Sequence, residues 1–163
     1  MKNKFLTLIL VYFIFNSFAF SKDFTFKTKK IEITEKGKFI NATDGQAVSD
    51  DGDIEISADE FQYNKDTNIL NIYGNGVMLI RSQIFFNSSV IDQNSSTIQA
   101  NENVKVLDKE KNLEIISNSI FYDQNQNIIK SDSKTNIKGN DQNYYSMDKF
   151  SYEINKNLLK VEN

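Results

Sequence analysis

An all-β protein, built from hairpin repeats of about 30 residues stacked into a two-sheet solenoid, is what this sequence predicts. Three observations carry that reading. Apolar strand starts fall at Phe24, Ile54, Ile84, Leu113 and Tyr144, at spacings of 30, 30, 29 and 31 residues. Each start opens a period-2 alternation that runs into a polar turn and returns as a short apolar segment. Helical periodicity never lasts long enough to define a helix beyond residue 20, and no proline removes a ladder donor. A fixed period of this size marks supersecondary units that bury their apolar faces only by stacking on neighbours.

The second unit is the sharpest. Ile54, Ile56 and Ala58 lead into Asp59-Glu60-Phe61-Gln62-Tyr63, and the turn Asn64-Lys65-Asp66-Thr67-Asn68 returns the chain through Ile69-Leu70-Asn71-Ile72-Tyr73. The return arm kinks at Gly74-Asn75-Gly76 and runs out as Val77-Met78-Leu79-Ile80. Strict alternation places Ile54, Ile56 and Ala58 on one face and Phe61 and Tyr63 on the other. A bulge or bend is therefore expected at Ala58 to Glu60, of the kind that carries a strand from one sheet into a second.

The other units follow the same plan. Asn118-x-Ile120-x-Tyr122 and Asp148-x-Phe150-x-Tyr152 match Asp59-x-Phe61-x-Tyr63, Ile31-x-Ile33 takes that place in the first unit, and Ile91 takes the Phe61 place in the thinner third. Turns are expected at Thr34 to Lys38, Gln93 to Ser96, Asp123 to Asn127 and Asn155 to Asn157. The acidic stretch Ser49-Asp50-Asp51-Gly52-Asp53 lacks the ligand ladder of a calcium loop and reads as a solvated hairpin turn. The fifth unit stops half a unit short at Leu158-Leu159-Lys160-Val161, an uncapped edge expected either to pair with another β-rich chain or to continue in a longer protein. Lys27, Lys29 and Lys30 read as a solvated edge.

Residues 1–19 read as a cleaved signal peptide: Lys2 and Lys4, an apolar run to Phe15, and Ser17-Phe18-Ala19 at the cleavage site. Residues 20–163 form the single expected domain. Removing the leader takes away two of the positive charges behind the formal net charge of −3, leaving −5, with no basic patch for nucleic acid. Histidine and cysteine are absent, which removes most nucleophile–base pairs and the usual zinc ligands. No enzyme activity, cofactor or metal is expected.

The segment Ala58-Asp59-Glu60-Phe61-Gln62-Tyr63, its Asp66-Thr67 turn and Gly74-Asn75-Gly76-Val77 resemble the OstA-like repeat of lipopolysaccharide-transport proteins, the LptA and LptD N-terminal type. Glu102-Asn103-Val104 and Lys138-Gly139-Asn140 are weaker copies of the glycine element. The resemblance implies a twisted antiparallel β-jelly roll in the periplasm of a Gram-negative cell, holding lipid A acyl chains between two sheets. It also implies end-to-end pairing with other such proteins into a transenvelope bridge, either as a free-standing component or as the N-terminal domain of the outer-membrane assembly protein. On that reading the apolar slot is lined by Phe61, Tyr63, Leu70, Ile72, Ile91, Ile98, Ile120, Tyr122, Phe150 and Tyr152. The competing reading is an exported structural β-solenoid, adhesin-like, with a sealed core and no ligand.

Overall fold

The computed structural model describes residues 23–139 and 143–162. The expected signal peptide lies outside them, as does Asn140 of the third glycine element. Twelve antiparallel strands form one open sheet: β1 (Phe24–Thr34), β2 (Phe39–Ser49), β3 (Glu55–Asn64), β4 (Ile69–Leu79), β5 (Gln83–Asp92), β6 (Thr97–Asp108), β7 (Leu113–Asp123), β8 (Ile128–Ser131), β9 (Thr135–Lys138), β10 (Tyr144–Met147), β11 (Lys149–Glu153) and β12 (Leu158–Glu162). Sequential hairpins order β1 to β8, after which β11 and β12 complete the row, while β9 and β10 extend from the other half of β7. The expected strand starts at Phe24, Leu113 and Tyr144 are met, and those at Ile54 and Ile84 are met within one residue.

Every long strand is interrupted near its middle, and the interruptions fall in line across the sheet. The pairing skips at Lys29 opposite Asp44 and at Asp44 opposite Asp59. It shifts between Ser57 and Glu60, between Tyr73 and Gly76, between Phe85 and Ser88, and between Asn101 and Val104. The expected bend at Ala58 to Glu60 and the kink at Gly74 to Gly76 are two points on this line. Past β7 the line becomes a break, with β8 and β9 separated at Asp132 to Lys134 and β10 and β11 at Asp148. Acidic, amide and glycine residues dominate the line because several of its positions need a left-handed backbone, which these residues tolerate. Positive φ occurs at Asp44 (52°), Gly74 (73°), Asn75 (41°), Glu102 (62°) and Asn103 (57°).

Three of the glycines are fixed by space: a Cβ on Gly45 would sit 2.3 Å from the Lys27 carbonyl oxygen. A Cβ on Gly74 would sit 2.3 Å from the Asp59 carboxylate, and one on Gly76 would sit 2.1 Å from the Phe86 ring. Asn75 Nδ2 then donates to Asp59 Oδ2 at 2.8 Å, tying the corner of β4 to that of β3.

The corners fold the sheet into two wings. In β3 the inward set changes from Ile56 and Ala58 to Phe61 and Tyr63, and in β5 from Ile84 and Phe86 to Ser89 and Ile91. The even strands β4 and β6 instead insert a two-residue left-handed excursion, Gly74-Asn75 and Glu102-Asn103, and keep their phase. Both devices bend a strand so that both its halves face the same interior. The sequence reading set Ile56 and Phe61 on opposite faces, as alternation on a straight strand requires; the bend brings both onto the concave side. The apolar inward residues of both wings belong to one continuous core.

Candidate functional site: an apolar interior closed by a seam

The ten residues expected to line the slot all lie on the inner face, none more than 7% exposed. They occupy a single wing, the halves of the strands nearest the turns 64–68, 93–96, 124–127 and 154–157. Phe61 pairs with Ile72, Tyr63 with Leu70, Ile91 with Ile98, and Tyr122 with Ile129. Phe150 and Tyr152 continue the row through β11. The facing wing supplies Ile56, Met78, Phe86, Val104, Val106, Ile115 and Ile137, equally buried. Sequence reasoning missed this second wall. Its signal was present as alternating apolar residues in each strand's other half, but the phase change at the corner disguised it.

Opposite the line of corners, the free margins of the two wings meet along a seam. Asp23, at the start of β1, receives Lys65 Nζ from the β3–β4 turn at 2.8 Å. Phe24 packs edge-on against Tyr63, and Phe26 against Phe61, at centroid distances of 5.7 and 5.8 Å. Further along, Arg81 Nη1 donates to Asn127 Oδ1 at 3.3 Å, and Lys111 Nζ donates to the Tyr152 hydroxyl and the Ile154 carbonyl at 3.2 and 3.0 Å. The hydrogen-bonded partners along the seam are 41 to 46 residues apart. That near-constant offset means that the margins meet obliquely, each turn facing one further along the other margin. Ring contacts and side-chain bonds carry these seam contacts, whereas backbone ladders join neighbouring strands throughout each wing.

The electrostatics of the seam follow from burial. Burial works to raise the Asp23 carboxyl, but Lys65 and the Tyr63 hydroxyl outweigh it and hold the carboxyl below its usual range. Burial, together with the Asp23 carboxylate, pushes the Tyr63 phenol well above its ordinary value, so it stays protonated, and its hydroxyl also lies 3.0 Å from Gln93 Oε1. Burial also raises Tyr122, with the Arg81 charge acting in the opposite direction.

At the two ends of the roll the apolar interior reaches solvent. Ile31 and Ile33 pair with the buried Ala42 and Ile40, yet are 48% and 58% exposed. Leu159 and Val161 pair with the buried Tyr152 and Phe150, yet are 38% and 47% exposed. Lys29 reaches Asp44 at 3.4 Å on the solvated edge. The Ser49–Asp53 turn is tied internally, with Ser49 Oγ donating to Asp51 Oδ1 at 2.6 Å. Among the described residues no group of acidic side chains is arranged to hold a metal ion.

The chain is thus a β-jelly roll whose one continuous antiparallel sheet folds over an apolar interior. No family model and no curated protein matches it. Among solved structures it is similar to LptH, described as the LptA homologous periplasmic component of the conserved lipopolysaccharide transport device from Pseudomonas aeruginosa. The identity is 12%, over 86% of this chain and 82% of that one, with a TM-score of 0.35. A likeness this distant carries no inference about ligand or partner.

Proposed function

We propose that this protein binds lipopolysaccharide in the periplasm, holds its acyl chains between the two wings, and passes it on without covalent chemistry. One observation carries the reading: two apolar walls face each other across the described residues, joined at the corners by strands that run through both wings and along the seam by side chains. Such a roll parts along the seam without breaking a ladder. The OstA-like residues support the same reading, since Asp59 and Gly74 build adjoining corners while Phe61 and Tyr63 begin the wall. At roughly 25 cal/mol per Å2 of apolar surface removed from water, acyl chains laid along this wall offset the anionic repulsion expected from a mildly acidic protein.

Units would join through the open edges of β1 and β12, where main-chain groups and inward apolar side chains are both presented. The second reading, a sealed structural roll, is favoured by the near-complete burial of the ten lining residues by the protein's own side chains. Titration of purified protein with lipopolysaccharide separates the two. Saturable binding, weakened by Ile72→Asn at unchanged strand content, supports conveyance. A folded protein that binds none supports the sealed roll.

A further inference from the structure

At the seam, the turns 80–82 and 109–112 from one margin face 154–157 from the other across a cavity of about 210 Å3. Its floor is the inner face: Val106, Ile115, Ile129 and Tyr152. Its rim carries Arg81 and Lys111. Arg81 is the single arginine in a chain whose other cations are all lysine.

Both cations are held by neutral acceptors. Arg81 is bonded to the Asn127 amide oxygen, and half-buried Lys111 to a phenol and a backbone carbonyl, with its ammonium 5.3 Å from the Tyr152 ring centroid. Among the described residues neither forms an ion pair. Of the two carboxylates on the cavity wall, Asp108 is engaged by the Lys111 backbone N–H at 3.0 Å, and Glu110 is exposed on the turn. Neither cation is therefore in contact with a carboxylate at the mouth of the pocket.

We infer that this cavity is a headgroup site for an anionic amphiphile. Its phosphate would lie between Arg81 and Lys111, with its alkyl chain entering over Ile115 and Ile129. The site rests on the acyl-binding reading and adds to it the place and polarity of entry. A guanidinium matches phosphate with two parallel N–H donors, and Lys111 adds a point charge beside it. An apolar cavity of about 150 Å3 accommodates a benzene-sized group, so this one takes a short stretch of a single chain. The remainder would follow the wall as the seam parts, and the Arg81 and Lys111 contacts are themselves seam contacts that an incoming phosphate would replace.

Calorimetric titration of the exported protein with dodecyl phosphate, neutral dodecyl maltoside and inorganic phosphate, below micellar concentrations, tests the site. Dodecyl phosphate should bind tightest, and Arg81→Gln and Lys111→Gln should each weaken it by about tenfold, as loss of a charge-assisted hydrogen bond does. Dodecyl maltoside binding should not move. Unchanged dodecyl phosphate binding in both variants would overturn the headgroup site and leave the acyl-binding reading standing. Equal losses for both dodecyl ligands would reduce the two residues to structural supports, and inorganic phosphate binding as tightly as the alkyl ester would make this a free-anion site. Failure of the folded wild type to bind either dodecyl ligand would overturn the acyl-binding reading itself.

Discussion

Phe24 opens the first strand at one margin of the sheet and Tyr63 closes the third at the other, yet their rings meet edge-on at a centroid distance of 5.7 Å. In a flat meander, a strand's length would separate them. Their contact shows the sheet folded over, and the line of corners is what folds it.

The corners should therefore be the least substitutable part of the surface. Gly76→Ala drives a methyl group into the Phe86 ring, and overpacking of that kind costs about 1–3 kcal/mol. Urea denaturation should show that loss for Gly76→Ala and recover part of it in the double variant with Phe86→Leu. Gly74→Ala adds left-handed strain to its contact with Asp59 and should not be rescued by any change at Phe86.

Asp23 and Lys65 close the seam at its N-terminal end. Both side chains are partly solvated, so Lys65→Met should cost no more than about 1 kcal/mol. Their importance would be kinetic. With both positions changed to cysteine and joined by a short bismaleimide, the melting temperature should hold or rise while lipopolysaccharide uptake stops. Uptake at the unlinked rate would mean that the seam does not part at this point.

Glu153 accepts hydrogen bonds from Lys156 and Lys160, which bring its carboxyl down to about 2 from an ordinary 4.5. Because the folded value is depressed, the pair stabilises the β11–β12 hairpin fully above about pH 4.5, and the contribution is lost as pH falls toward 2. NMR titration of Glu153 should show its midpoint rising in Lys156→Met and rising again when Lys160→Met is added.

The open ends of the roll predict a different phenotype. Ile33→Lys and Val161→Lys place charge on inward but solvent-reached positions of the edge strands, so stability should change little. Sedimentation velocity should show reduced self-association or reduced pairing with a partner roll. Unaltered association in both variants would remove β1 and β12 as docking edges.

Much of this architecture was legible in the sequence because hairpin turns are local. Asn64 to Asn68 and Gln93 to Ser96 announce themselves by composition, and the Phe61-x-Tyr63 pattern marks one wall directly. The opposite wall was not legible. Reading Ile56 and Phe61 by strict alternation separates them, and only the Asp59 corner, built by contact with Asn75 and Gly74 on the next strand, reunites them on one interior. The seam was equally hidden, because Asp23–Lys65 and Arg81–Asn127 join residues that no local pattern relates. Lys65, an innocent turn residue in the sequence, proves to be half of that seam.

Site-specific photocrosslinking in the periplasm tests the central claim most directly, with the probe at inward Phe61 and, as control, at its exposed neighbour Gln62. The account predicts a lipopolysaccharide adduct at Phe61 and none at Gln62. A folded protein giving no lipid adduct at Phe61, or equal adducts at both positions, would contradict the account.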